Sequence, residues 1–190
     1  GYDSKISAYN TDYEGAIGAL CRSMRIDRQR LKGIKTAVLG AGGAARAVVA
    51  GLRDSNADVT IYNRTESRAQ HLAEAFKCKW SGIDSLDDLD ARIVINCTSL
   101  GMSPNVDASP LPAKGLKKSM IVFDTVYNPL FTKLLNDAKI AGAKRISGLE
   151  MFIGQAMAQY EIFTGQKADE KIENIMRSEA LKKLEQDYPD

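Results

Sequence analysis

Short apolar runs of strand length alternate along the chain with longer stretches whose apolar residues return every three or four positions. That alternation predicts a layered α/β architecture. The strand-like runs are Thr36 to Leu39, Val59 to Tyr62, Arg92 to Asn96, Met120 to Asp124 and Lys144 to Ile146. Between them lie helical segments at Ala44 to Leu52, Glu66 to Phe76, Ser85 to Leu89 and Leu130 to Ala141, the last with Pro129 at its first turn and Gly142 at its end. A helix opening near Gly148 continues to about Thr164. Two amphipathic helices flank this series. Residues 10–24 place Ala16, Ile17, Leu20 and Met24 on one face, and residues 169–184 do the same with Ile172, Ile175, Met176 and Leu184. Arg28 to Gly33 reads as a polar connector, and residues 103–115, with Pro104, Pro110 and Pro112, as an irregular surface loop. The expected fold is a doubly wound, mostly parallel sheet. It divides into a leading helix and linker (1–30), a central α/β domain (31–165) and a C-terminal helix (166–190).

Chemistry enters at the first strand. Gly40-Ala41-Gly42-Gly43-Ala44-Ala45 fits the dinucleotide fingerprint G-x-G-x-x-G/A between a strand and a helix. Gly40 allows the tight turn, Gly42 lets backbone N–H groups approach a pyrophosphate, and Ala45 lets the helix lie close on the sheet. The helix N-terminus supplies free N–H donors and positive dipole to phosphates. Glycine-rich turns also end strands for steric reasons alone, so the context of strand and helix is what points to a cofactor. In a Rossmann-type fold of this kind, the residue about twenty positions further on chooses between cofactors. Here that position reads Asn63-Arg64-Thr65, with Arg68 one turn later and no carboxylate. Arg64 offers a planar fork of donors to a 2′-phosphate, which selects NADP over NAD. A solvated helix start capped by Thr65 is the plainer alternative.

Other strand ends carry polar residues too. Asn96-Cys97-Thr98-Ser99-Leu100-Gly101-Met102 follows the Arg92 strand and is placed to touch a cofactor, or is a plain strand exit. Tyr127 follows the next strand, beside the cleft or buried with one partner. Thr11-x-x-Glu14 forms a capping box, so Asn10-Thr11-Asp12 also suits a simple helix start. His71, the single histidine, sits mid-helix and reads as an ordinary helix residue, leaving proton transfer to Asp, Glu, Lys or Tyr.

Composition narrows the partners. The chain has 190 residues, 26 basic and 24 acidic, and a net charge of +2, a balance that disfavours nucleic acid or a membrane surface and favours a small molecule. Cys21, Cys78 and Cys97 are unpaired in number and widely spaced, which points to reduced thiols in the cytoplasm and to no metal site. No apolar run reaches transmembrane length. Gly1-Tyr2-Asp3-Ser4-Lys5 begins without methionine and reads as an interior segment, which suggests the back part of something longer.

Taken together, Asn10-Thr11-Asp12 with Gly15, the Gly40 to Ala44 turn, Asn63-Arg64-Thr65 with Arg68, Asn96-Cys97-Thr98-Ser99-x-Gly101-Met102, Tyr127-Asn128-Pro129 and Gly148-x-x-Met151 with Gln155 resemble the shikimate dehydrogenase family, in that family's order. The resemblance implies reversible reduction of 3-dehydroshikimate to shikimate by NADPH, in the shikimate pathway of aromatic amino acid biosynthesis. It implies that Thr11 and Gln155 bind the substrate's ring hydroxyls, that Tyr127 lies at substrate and nicotinamide, and that Asp12 is the acidic half of a Lys–Asp dyad. It further implies that Gly40, Ala41, Gly42, Gly43, Ala44, Thr98 and Ser99 line the cofactor. Asn63, Arg64, Thr65 and Arg68 would grip the 2′-phosphate, and Gly148 and Met151 would flank the nicotinamide. The family's lysine belongs to an upstream Val-Thr-x-Pro-x-Lys type segment that is absent here, and Lys5 lies too close to Asp12 to replace it. The chain therefore reads as the NADP-binding half of such an enzyme, with a bifunctional or multifunctional parent in view. It would be inactive without its substrate domain and prone to self-association through the apolar faces of helices 12–24 and 169–184. The alternatives are a non-catalytic NADP(H)-binding piece and a quinate-preferring enzyme using NAD.

Overall fold

The computed structural model describes residues 8–187. The expectations for Gly1 to Lys5, Lys5 included, lie outside the described residues. Six parallel strands form one sheet, β1 (Lys35–Leu39), β2 (Asp58–Tyr62), β3 (Lys79–Ser81), β4 (Ile93–Asn96), β5 (Ile121–Asp124) and β6 (Lys144–Ile146), in the order β3-β2-β1-β4-β5-β6. The sheet is parallel throughout, as buried, near-continuous apolar strands require: every residue of β4 and β5 is buried, and all of β1 but Lys35. Among the described residues six α-helices accompany the sheet: α1 (Thr11–Met24), α2 (Gly43–Asp54), α3 (Glu66–Phe76), α4 (Lys133–Ile140), α5 (Gly148–Thr164) and α6 (Glu170–Asp187). Chain direction across the sheet reverses between β1 and β4, and the glycine turn opens there, at the switch point where doubly wound sheets take ligands.

Two apolar cores lie on the two faces. One joins Val38, Ile61, Ile93 and Phe123 of the sheet to α2, α3, α1 and Met151; the other joins Leu39, Val94 and Val122 to Leu134, Leu135 and Leu111. The apolar face of α1 is therefore not unmatched. Ala16, Ile17, Ala19 and Leu20 are at most 2% exposed, covered by α2 and α5, which removes α1 from the surfaces expected to drive self-association. The crossing of α1 on α5 is close because both helices have glycine there. A Cβ on Gly15 would lie 2.6 Å from the Met151 carbonyl oxygen, and one on Gly154 would lie 3.0 Å from Gly15 Cα. On α6, Ile175 stays outward, 55% exposed, while Arg177 reaches Glu150 of α5 at 2.6 and 3.0 Å and Glu173 at 3.0 Å.

Several boundaries differ from the sequence reading for local reasons. Asn10, not Thr11, caps α1, its side chain accepting from the Tyr13 N–H at 3.3 Å, so the Thr11–Glu14 capping box does not form. The connector at 28–33 contains a 3-10 turn, Arg28–Leu31, whose Leu31 is fully buried. Strand β3 has no apolar alternation because it is an edge of three largely exposed residues. Helix α4 begins at Lys133 behind Thr132, whose hydroxyl accepts from Leu135 N–H at 3.3 Å, and Pro129 lies in the loop before it.

Candidate functional site

The glycine turn sits where β1 hands over to α2. Gly40 has φ +110°, which favours glycine, and its N–H donates to the Tyr62 carbonyl at 2.7 Å, tying the turn to the end of β2. A Cβ on Gly40 would also press on the Cys97 carbonyl oxygen at 3.0 Å and on Thr98 Cγ2 at 3.1 Å. Gly42 and Gly43 are exposed, and an added Cβ on either would meet nothing within 4 Å. Gly42 is the N-cap of α2 with no side chain supplying a cap, so the first N–H groups of the helix face open space. Ala45, fully buried, seats α2 on the sheet. This is an open, donor-lined cradle next to a cavity of about 390 Å³ bounded by Gly40, Asn63, Arg64, Thr98, Ser99 and Pro110. Pyrophosphate and an adenosine ribose fit that donor set, because it offers main-chain N–H groups and cationic side chains with no competing carboxylate.

At the end of β2, Asn63 donates from Nδ2 to the Thr65 carbonyl at 2.9 Å, which shapes the turn into α3. Thr65 occupies the N-cap position of α3 without making a side-chain cap, so the capping alternative for this residue does not form. Arg64 and Arg68 are exposed and have no ion-pair partner among the described residues. A second cavity, about 440 Å³, lies between α2 and α3 and is bounded by Gly42, Gly43, Arg46, Ser67, Arg68 and His71. His71 thus faces this opening, with Nδ1 3.1 Å from the Ser67 carbonyl oxygen.

The exits of β4 and β5 are built differently. Asn96 and Asp124 pair in register at the ends of their strands, and both are fully buried, as is Thr132. Asp124 Oδ1 accepts from Asn96 Nδ2 at 2.9 Å and from Val126 N–H at 3.0 Å, and Oδ2 accepts from the Thr132 hydroxyl at 2.6 Å. Asn96 Oδ1 in turn accepts from the Thr98 N–H at 2.9 Å and the Thr98 hydroxyl at 2.7 Å. Burial pushes the Asp124 carboxyl up to about 6, against the three donors, which pull it down. Ser99 stays exposed beside Thr98. Tyr127 is 43% exposed, not buried, and its ring tilts against Phe152 of α5 at 5.0 Å between centroids. Gly148 opens α5 directly beneath this loop, where any Cβ would overlap the carbonyl oxygens of Thr125 and Val126. Met151, 7% exposed, follows one turn later.

The remaining residues singled out in the sequence gather where α1 crosses α5. Thr11 and Asp12 form the first turn of α1, partly exposed, and Gln155 lies against Gly15, whose added Cβ would be 3.2 Å from Gln155 Cβ. Asp12 has no cation within ion-pair distance among the described residues. Gln159, one turn beyond Gln155, donates from Nε2 to the Thr11 hydroxyl at 3.3 Å, a contact the sequence reading does not contain. Also outside that reading are Arg46, His71 as a cavity residue, and the Asn96–Asp124–Thr132 network. A polar residue ending two buried strands at matching positions is the signal that marks the network in the sequence. Among the described residues no helix is long and apolar enough to cross a membrane.

Comparison with known proteins places the chain in one family. Residues 23–123 match the model for "Shikimate / quinate 5-dehydrogenase", and residues 148–178 match that for "Shikimate 5'-dehydrogenase C-terminal domain". The chain is 41% identical to the shikimate dehydrogenase (NADP(+)) of Methanosarcina acetivorans, over 93% of this chain and 65% of that protein. It is 40% identical to the chloroplastic bifunctional 3-dehydroquinate dehydratase/shikimate dehydrogenase of Arabidopsis thaliana, over 90% of this chain and 30% of that one. A crystal structure of shikimate dehydrogenase in complex with NADP+ superposes with a TM-score of 0.83 at 37% identity, covering 96% of this chain and 64% of that one. The chain thus spans less than two thirds of the length of these relatives.

Proposed function

The chain belongs to the shikimate / quinate 5-dehydrogenase family, and from that premise we propose that it is the NADP-binding part of a cytoplasmic shikimate dehydrogenase. NADP(H) in this site supplies the hydride that interconverts 3-dehydroshikimate and shikimate. The N–H groups at Gly42, Gly43 and Ala44, with Gly40 and Ala41 giving them clearance, hold the pyrophosphate at the start of α2. Arg64 and Arg68, with Asn63 and Thr65, hold the 2′-phosphate. Thr98 and Ser99 on one side and Gly148 and Met151 on the other hold the nicotinamide end. Thr11 and Gln155 bind ring hydroxyls of the substrate, and Tyr127 bounds the space between substrate and cofactor. Asp12 orients the ammonium group of a lysine from a substrate domain, and that ammonium stabilises the alkoxide that develops on hydride transfer. In this reading segments 1–30 and 166–190 serve that domain, and the 190-residue chain alone binds cofactor without turnover.

The observation that carries the proposal is the pair of guanidinium groups, Arg64 and Arg68, with no carboxylate partner among the described residues, beside an open glycine cradle. Calorimetric titration of the chain with NADP+ and NAD+ tests it. NADP+ should bind at least about tenfold more tightly, since a charged hydrogen bond contributes roughly 1.5–3 kcal/mol. Equal affinities would remove the 2′-phosphate argument and favour a quinate dehydrogenase using NAD. A second assay follows NADPH oxidation with 3-dehydroshikimate, where turnover by this chain alone would show that the upstream lysine is dispensable.

A further inference from the structure

Asp124 is a charged-type side chain at a position that its neighbours fill with apolar residues. The other members of β5 are Ile121, Val122 and Phe123, all buried, and nothing in the cofactor contacts proposed above uses a carboxyl group there. Its two oxygens nevertheless accept three hydrogen bonds, each from a different part of the chain: Asn96 at the end of β4, Val126 in the exit loop of β5, and Thr132 at the start of α4. Asn96 passes the constraint on, because its carbonyl oxygen holds both the N–H and the hydroxyl of Thr98. The Thr98 hydroxyl then accepts from Leu100 N–H at 3.2 Å, closing the β4 exit loop. The two loops are joined again where Ser103 N–H donates to the Asn128 carbonyl at 3.1 Å. Gly148 rests on the Thr125 and Val126 carbonyls, so the first turn of α5 takes its position from the same loop.

Resting on the NADP reading above, we propose that Asp124 is a positioning residue that locks the exit loops of β4 and β5 and the start of α5 into one unit shaped for the nicotinamide half of the cofactor. The network makes no hydrogen bond to the Asn63 to Arg68 segment that grips the 2′-phosphate, and meets the adenosine side only through Thr98, which shares a cavity wall with Asn63 and Arg64. A carboxylate suits this task because only a group with two acceptor oxygens can collect donors from three segments at once. Burial pushes that carboxyl up to about 6 against the pull of its three donors, so its charge is held there at a desolvation cost.

The test compares two ligands on the 190-residue chain: NADPH, which has both halves, and 2′,5′-ADP, which has only the adenosine half. On the unaltered chain NADPH should bind more tightly. Asp124→Ala should weaken NADPH by about tenfold and leave 2′,5′-ADP within about twofold. Asp124→Asn, which keeps an acceptor for Asn96 and Val126, should recover most of the loss. If Asp124→Ala yields no folded protein, Thr132→Val carries the test, with a selective loss of roughly threefold for NADPH. Equal weakening of both ligands, no weakening of either, or an Asp124→Asn loss as large as that of Asp124→Ala would overturn the positioning role. So would equal affinity of the two ligands on the unaltered chain. Failure of the unaltered chain to bind either ligand would instead overturn the NADP reading itself.

Discussion

After β2, Arg64 and Arg68 extend into solvent with no ionic partner among the described residues, whereas at the ends of β4 and β5 Asn96, Asp124 and Thr132 are fully buried and bonded to one another. The two regions lie on either side of the glycine turn, and they prepare for a ligand in opposite ways. Exposed guanidinium groups remain hydrated and mobile, and they gain strength only when an anion arrives. The buried network already has its partners, so it contributes shape and no free valence. One region thus recognises charge, and the other fixes the walls against which a flat ring is placed. Substitutions in the first should change affinity and leave stability alone; substitutions in the second should change both.

The largest expected effect is on stability at the buried end. Gly148→Ala sets a methyl group against two main-chain carbonyls, which have no rotamer to yield, and should destabilise the fold by about 3 kcal/mol in urea melts. An unchanged midpoint would mean that α5 shifts freely away from the β5 loop. Next comes the pH dependence of Asp124. Its carboxyl is raised from 3.8 to about 6 in the folded chain, so the folded state binds the proton more tightly than the unfolded state. The associated stability is present below about pH 4 and is lost as pH rises through about 6, a change of roughly 2–3 kcal/mol. Urea melts of the unaltered chain minus those of Asp124→Asn should fall over that window, and a difference that rises would show that the three donors outweigh burial.

At the exposed end, Arg64→Ala should weaken NADP+ binding by about 2 kcal/mol, roughly thirtyfold, with no change in melting and none in NAD+ binding. A matching loss for NAD+ would erase the contrast between charge recognition and shape. The smallest effect is expected away from both ends. Arg177→Met removes the ion pairs from α6 to Glu150 and Glu173, which are about a third exposed and screened by solvent, and should cost less than about 1 kcal/mol of stability without touching cofactor affinity.

These regions also differ in how far the sequence discloses them. The exposed end is legible because its chemistry is local: a glycine turn, a strand and an arginine about twenty positions on occur in one βαβ unit, and Glu66–Phe76 has the bounds that its periodicity predicts. The buried end depends on residues 28 positions apart meeting across two strands, so neither Asn96 nor Asp124 announces its partner. Strand β3 is hidden for another reason. Lys79, Trp80 and Ser81 pair along an edge with little burial, and the apolar pattern from which strands are read is a record of burial. The start of α4 is displaced because Thr132, bonded to Asp124, supplies a cap that outcompetes the helix-starting tendency of Pro129. The apolar face of α1 reads as awaiting a partner, and the partners are α2 and α5 of the same chain.

The meeting of Gly15 with Gly154 has a mechanical consequence. Helices held apart by large side chains tolerate sliding as rotamers readjust, but two backbones in contact have no such slack. Thr11 and Asp12 precede Gly15 by four and three positions, and Gln155 follows Gly154 directly, so all three lie within about one helical turn of the contact. The contact therefore pins the start of α1 on α5, so the separation of Thr11 and Asp12 from Gln155 is set by main chain and not by adjustable side chains.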